Sequence, residues 1–413
     1  MVLAPALMLA LSLGQALPPW MTGESRAEDL DIWCVTFSPG DQVNDLWGHT
    51  AMVVQDRRLN HARLYNYGMF DFADPVTFLR TFAKGRLEFW VGEAGVQGTF
   101  AYYASLDRDV RVQELNLLPE QAQAIATLLG KNVLKENRDY LYQHYDDNCS
   151  TRPRDIIDTA VGGQMLAAST APARMSLREL TRLYSMVNPP LSLVLDYLQN
   201  DSLERPITVR EEAFLPNELE RQLQNLTLTR PDGSKVPMVK RQFNFFTAKH
   251  RAPPPEVPPQ WGPLLLAVSV AFAVATLTLG RWEQRGGRLP RVLLGLENVS
   301  LGLVTGLLGV VLFTMGAFTD QTVTHRNENL FLINPLNALA LPLGVMLAFG
   351  SKKARTFLRW TWTVLAATAM LGVVLKLLPM FNQANWNLIA LVLPFNVAMA
   401  ALWWVDYRRS KSP

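Results

Sequence analysis

The stretch Ala252-Pro253-Pro254-Pro255-Glu256-Val257-Pro258-Pro259 divides the chain. Such a proline run is extended and semi-rigid, a spacer between two different kinds of sequence. After it come apolar runs at roughly 262–280, 292–317, 330–350, 360–380 and 387–405. Each is long enough to cross a hydrocarbon layer of about 30 Å at about 1.5 Å per helical residue. Before it, residues 18–260 carry charge at ordinary density. The overall charged fraction is 18%, low against the roughly 25% of a soluble domain, because the second half holds so few charges. This excludes a single soluble globule and a disordered chain. The net charge is +3 and no basic block stands out, so nucleic acid is set aside as a partner. Two cysteines cannot form a disulfide framework. With no HExxH or CxxC pattern, neither a metal site nor a cofactor is expected.

The basic residues alternate between the apolar runs. Arg281, Arg285, Arg288 and Arg291 follow the first, and only Arg326 follows the second. Lys352, Lys353, Arg355 and Arg359 follow the third, none follow the fourth, and Arg408, Arg409 and Lys411 close the chain. The positive-inside rule puts the first and third loops and the tail in the cytoplasm, and residues 18–260 outside. Residues 1–16 read as a signal peptide or a retained anchor, ending in Gly14-Gln15-Ala16. Both readings export residues 18–260. The expected organisation is an exported domain over 18–250, a linker over 251–260 and a five-helix transmembrane domain over 261–413.

In the exported half, residues 31–37, 50–55, 62–67, 86–92 and 109–117 read as strands. A helix is expected from Pro119 to about Lys135, another over 152–161 ending at Gly162-Gly163, and a third from the capping box Ser176-x-x-Glu179. Pro189–Asn200 also reads as helix, and Pro231-Asp232-Gly233-Ser234 as a hairpin turn. Strands followed by helices make this half α+β.

The sharpest local signal is Asp147-Asn148-Cys149-Ser150-Thr151-Arg152-Pro153-Arg154-Asp155. Ser150 and Thr151 suit an N-cap and Pro153 suits a first turn, so Cys149 would precede a helix N-terminus. That position lowers a thiol pKa, and the thiolate is the nucleophile. The alternative is a small buried core residue. A thiolate needs a base, and Trp47-Gly48-His49-Thr50-Ala51 offers His49 at the start of a strand. His61 lies twelve residues on and could orient the His49 ring. His144 flanks Cys149.

These segments, with Asn66-Tyr67-Gly68-Met69-Phe70-Asp71-Phe72, Phe214-Leu215-Pro216-Asn217-Glu218-Leu219, His325-Arg326-Asn327-x-Asn329-Leu330 and Asn334-Pro335-Leu336-Asn337, resemble the DUF4105 family. That family includes the Lnb-type lipoprotein N-acyltransferases. The resemblance implies an NlpC/P60-like, papain-related fold in circularly permuted order, His before Cys. It implies acyl transfer with Cys149 as nucleophile and His49 as base, His61 as third member, and Asp71 as the fallback for that role. Cys34 is not carried over as functional.

On this reading a membrane phospholipid or other lipid donates an acyl group to Cys149 as a thioester. The acceptor is the free α-amino group of a lipidated cysteine at a lipoprotein N-terminus, and the location is the bacterial inner membrane with the catalytic domain in the periplasm. The Cys149 backbone N–H with Trp47 or Tyr67 are candidate oxyanion donors. Asn148 is a further candidate for substrate or oxyanion contact. Arg152 would meet a lipid phosphate or pair with Asp155. Asn327 and Asn334, within clusters of polar residues at the outer ends of the apolar runs, would line a lipid or lipoprotein cleft. The alternatives are an envelope hydrolase on the same dyad, or a non-enzymatic membrane protein with a Cys34–Cys149 disulfide.

Overall fold

A computed structural model describes residues 17–70 and 75–409. The proposed signal segment 1–16 and Asp71 lie outside the described residues. The chain divides into two compact units. The first holds the residues up to Phe82, Arg86–Val187 and Pro206–Glu256; the second holds Ala83–Gly85, Asn188–Arg205 and the residues from Val257 on.

The first unit is built on β1 (Leu30–Phe37), β2 (His49–Asp56), β3 (His61–Met69), β4 (Glu88–Ala94), β5 (Val110–Leu115), β6 (Asp139–Leu141) and, after the small hairpin β7 (Thr227–Thr229) and β8 (Lys235–Pro237), β9 (Val239–Phe246). Seven of these form one sheet in the order β6-β4-β3-β2-β1-β5-β9, antiparallel throughout. The expected strands are present, and β9 returns from the end of the unit to cover the β5 edge. The helices are α1 (Pro75–Lys84), α2 (Val96–Ser105), α3 (Pro119–Asn132), α4 (Thr151–Ala160), α5 (Leu177–Ser185) and, after α6 (Pro189–Leu198) of the second unit, α7 (Pro216–Asn225). The starts of α3 and α5 follow their caps. Gln121 Oε1 accepts the Leu118 N–H at 2.9 Å, and Glu179 Oε2 accepts the Ser176 N–H at 2.8 Å.

The strand period of two sorts the core onto two faces. Cys34, Met52, Tyr65 and Tyr67 pack with Ile125, Leu129 and Ile157 of α3 and α4. Phe37, Ala51, Val53 and Leu64 pack on the other side with Phe100 of α2. The turn between β2 and β3 sets their register. Asp56 Oδ1 accepts the Leu59 N–H at 2.8 Å, Asn60 takes a positive φ of 49°, and Asp56 pairs with His61. Each step back along β2 is then a step forward along β3, which brings Asn66 opposite Ala51.

The second unit holds α6, α8 (Gly262–Gln284), α9 (Arg288–Phe318), α10 (Ala340–Ala348), α11 (Lys352–Leu375) and α12 (Trp386–Arg409). Four of these, α8, α9, α11 and α12, are long and apolar enough to cross a membrane. The run at 330–350 is not the continuous helix expected. It is made of 3-10 turns at Glu328–Phe331 and Pro335–Leu339 followed by the nine-residue α10, with a 58° bend. Together with the preceding 3-10 turn Thr322–Thr324, it nevertheless runs antiparallel along α9 on a row of glycines. A methyl on Gly295 would lie 2.7 Å from the Gly344 oxygen, one on Gly306 2.6 Å from the Ala338 Cα, and one on Gly316 2.9 Å from the Thr324 oxygen. From Gly295 to Gly316 is about 31 Å of helix at about 1.5 Å per residue, the depth of a bilayer core. The irregular backbone is tolerated because it is packed against α9.

Candidate active site

Cys149 sits just before α4, and the preceding residue explains how. Asn148 Oδ1 accepts the N–H groups of Ser150 and Thr151 at 2.7 and 2.9 Å, while Nδ2 donates to the carbonyls of His144 and Phe214 at 2.7 and 2.9 Å. The carboxamide caps the helix and pins the turn in place. With both its donors engaged, Asn148 has none for an oxyanion, so the contact role expected of it is corrected to a structural one.

Cys149 meets the sheet where β2 begins and β3 ends. Gly68 makes room: its φ is +91°, and a methyl there would stand 3.6 Å from the Cys149 Cβ. Gly48, at φ +80°, is required for another reason, since a methyl would sit 2.8 Å from the Phe37 carbonyl oxygen. That tight turn delivers His49 to the first position of β2. His49 hydrogen-bonds Cys149 and, through Nε2, the Asn66 Oδ1 at 3.0 Å. A carboxamide oxygen only accepts, so Nε2 carries a proton and Nδ1 is left for the thiol.

The charges agree with this geometry. Burial pushes the Cys149 thiol up, but the facing His49 charge and hydrogen bond, with N–H donation from Thr50 and Cys149 itself, hold it below the ordinary thiol value. Burial pushes His49 down. The Cys149 charge and hydrogen bond, then the Asn66 bond, outweigh burial and the opposing Arg108 cation and raise it. The two shifts are mutual: a thiolate on Cys149 favours the imidazolium of His49, and the imidazolium favours the thiolate.

His61 is not part of this site. It pairs with Asp56 at the other end of the β2–β3 hairpin, on the other face of the sheet, with its ring 5.5 Å from Trp20. The residue that orients His49 is Asn66, which the sequence pattern does not single out. His144 packs against Trp47, with ring centroids 4.7 Å apart, and burial pushes it down to about 4, so it is neutral. Among the described residues, the buried Trp47 Nε1 has no hydrogen-bond partner. The Tyr67 hydroxyl accepts from Asn132 Nδ2 at 2.8 Å. The Tyr140 hydroxyl, also buried without a partner among the described residues, lies 3.9 Å from the methyl position of Gly68 and so beside Cys149. Burial pushes that phenol up, which keeps it a protonated donor. Arg152 engages Asp147 with two hydrogen bonds, one of 2.8 Å, and its guanidinium lies 3.6 Å from the Tyr140 ring centroid. Its expected partner Asp155 is held instead by Arg154 at 2.8 Å. Cys34 is buried in β1, a free thiol pushed up to about 12.

Asn327, Asn329 and Asn334 of the second unit hold backbone rather than lining a cleft. Asn327 is buried, with Nδ2 donating to the carbonyls of Tyr197 and Leu198 at 3.1 and 2.9 Å, and Asn329 donates to those of Asp196 and Tyr197. These are the end carbonyls of α6, which the amides cap. Asn334 Oδ1 accepts the Leu336 N–H at 3.0 Å and caps a 3-10 turn. The cleft-lining role is corrected accordingly. Among the described residues, no group of three His, Cys, Asp or Glu side chains converges as a metal site would require.

Residues 16–182 match the family model described as the Lnb N-terminal periplasmic domain, and residues 256–410 match the one described as the Lnb transmembrane domain. The chain matches no curated protein and no solved structure.

Proposed function

The chain belongs to the Lnb family through both its periplasmic and its transmembrane domains, and on that premise we propose that it is a lipoprotein N-acyltransferase working through a Cys149 thioester. Family membership makes it a lipoprotein-processing protein of the envelope, membrane-embedded with a periplasmic region. The observation that carries the finer reading is the Cys149–His49–Asn66 hydrogen-bonded line. Its order in the chain, with the base on a strand before the nucleophile at a helix start, supports the permuted NlpC/P60-like, papain-related arrangement.

In the first half-reaction the Cys149 thiolate attacks an ester carbonyl of a membrane lipid. The new S–C bond forms as the ester C–O bond breaks, and the His49 imidazolium gives its proton to the departing alkoxide. In the second, the free amine of a lipidated N-terminal cysteine attacks the thioester. The N–C bond forms, the S–C bond breaks, and His49 takes the amine proton, which restores the ion pair. The Tyr140 hydroxyl is the candidate donor to the oxyanion of each tetrahedral intermediate. Asn66 keeps the imidazole in the tautomer that both steps need. A multi-pass domain in the inner membrane would hold donor and acceptor in the same leaflet, where orientation favours the amine over water at about 55 M, given effective molarities of ~10⁵ M or more.

The test is transfer in lipid vesicles containing the purified full chain. A diacylated lipopeptide with a free N-terminal amine should become triacylated, with an equal amount of deacylated lipid, and an N-acetylated lipopeptide should be inert. Rapid release of free fatty acid with no N-acylated product would leave a phospholipase in place of a transferase.

A further inference from the structure

We propose that the buried Arg108 is a positioning residue that lets His49 change from proton donor in the first half-reaction to proton acceptor in the second. This rests on the thioester reading above and adds to it a residue outside the hydrogen-bonded line.

Arg108 is 1% exposed. It lies behind His49 across a stack of rings. The His49 ring is 6.0 Å from Phe37 and 6.3 Å from Tyr103, nearly parallel to both, and Phe37 and Tyr103 stack at 3.7 Å. The Arg108 guanidinium carbon is 4.7 Å from the Tyr103 centroid. The charge is therefore no further than about 11 Å from the imidazole, through ring atoms rather than water. Arg108 is fixed there by Nε donating to the Ser38 carbonyl at 2.7 Å and by Nη1 meeting Asp45 at 2.9 Å, while Nη2 is buried without a partner among the described residues. Asp45 is the carboxylate on Arg108; nearby Asp109 is held by Arg111 and Asp41 by Arg251. The other ionisable groups around His49 are Cys149 and the buried Tyr103, whose phenol is pushed up by burial and stays neutral.

Acylation changes the balance of charge on His49. In the free enzyme the Cys149 charge and hydrogen bond raise His49 and so favour the proton that the first step requires. Once the sulfur is a thioester, its charge and its acceptance of the imidazolium proton are gone. Burial and the Arg108 cation remain, both lowering His49 against the single Asn66 bond. Both favour the neutral imidazole that must accept the amine proton. An Arg108 charge at that distance is worth about one pH unit at an effective dielectric of about 20, and the opposite charge of Asp45 offsets part of it.

The experiment is the pH dependence of amine transfer at saturating donor, where acyl-enzyme accumulates and the acid limb reports His49 in that state. The acceptor amine titrates identically in every variant, so differences belong to the protein. R108Q removes the cation and should move the limb up by about half to one pH unit. D45N leaves the cation uncompensated and should move it down. R108K keeps the charge and should leave the limb near that of the wild type. A purely structural role would not move two neighbours of one salt bridge in opposite directions. Limbs that move the same way, or not at all, overturn the proposal. If R108Q does not accumulate, D45N decides alone, and a limb that stays or rises is the overturning result. A wild type that never loads acyl on Cys149 would instead bring down the thioester reading, and this inference with it.

Discussion

Replacing Asn66 with alanine isolates the contribution of the residue that orients the base. The side chain is 3% exposed and its Oδ1 accepts from His49 Nε2 at 3.0 Å. A hydrogen bond to a charged group contributes about 1.5–3 kcal/mol. Asn66→Ala withdraws that support from the imidazolium, leaving Nε2 without its acceptor. If the whole of that loss falls on the reactive ion pair, acylation slows by up to about 10- to 150-fold. Global stability should fall by about 1–3 kcal/mol, the cost of a buried donor left without its acceptor. The assay is the rate of Cys149 acylation by an activated fatty-acyl ester, read by intact mass, beside thermal unfolding of the same sample. His61→Ala is the companion: it sits against Trp20 at the far end of the hairpin, so its acylation rate should match the wild type. A slow His61 variant with an unimpaired Asn66 variant would refute the assignment of the third residue.

Cys149→Ala and His49→Ala should each abolish transfer while the protein accumulates, because members of one catalytic unit are not additive; Cys34→Ser, in a buried strand position remote in role, should retain it. Because the His49 charge holds the Cys149 thiol below its ordinary value, iodoacetamide alkylation should extend below the ordinary thiol range near pH 8.5. The lowered thiol loses its charge only as pH falls through the folded value, and His49→Gln should move that limb upward. Gly302→Val should block accumulation or lower Tm sharply, since any Cβ at Gly302 overlaps the backbone of Leu341. Cysteines placed at Thr322 or Asn382 should react with an impermeant thiol reagent in intact cells, and those at Gly286 or Lys352 should not; labelling at Gly286 would reverse the orientation.

Much of this architecture can be read from single residues. The Ser176–Glu179 box and the Gly162-Gly163 stop are local signals, and the helix each marks is present. Pairwise relations are harder to read. The twelve-residue spacing of His49 and His61 suggests two histidines on adjacent strands, but a tight turn at 57–60 puts them at opposite ends of the hairpin and on opposite faces. The same turn, once its register is known, puts Asn66 on the face of His49. The third apolar run departs from its expected form for a related reason. Mean apolarity over 330–350 reports depth and says nothing of helix type, whereas Asn327, Asn334 and Asn337 are cap residues that break the run into short turns. Helix α2 leaves no sequence signal because its N-cap is Gly95 and Gly98 lies inside it, so its start carries no side-chain cap.

The central claim is that acyl groups pass through the Cys149 sulfur to an amine. The most direct measurement is peptide mapping of the protein after incubation with lipid vesicles lacking acceptor, followed by addition of a free-amine diacylated lipopeptide. The account predicts one acyl mass on the peptide containing Cys149, sensitive to hydroxylamine, that disappears as an equal amount of N-acylated lipopeptide appears, and that persists when the lipopeptide is N-acetylated. N-acylated product formed with no acyl group ever carried on Cys149, or an acyl group on Cys149 that discharges to water and not to the amine, would contradict it.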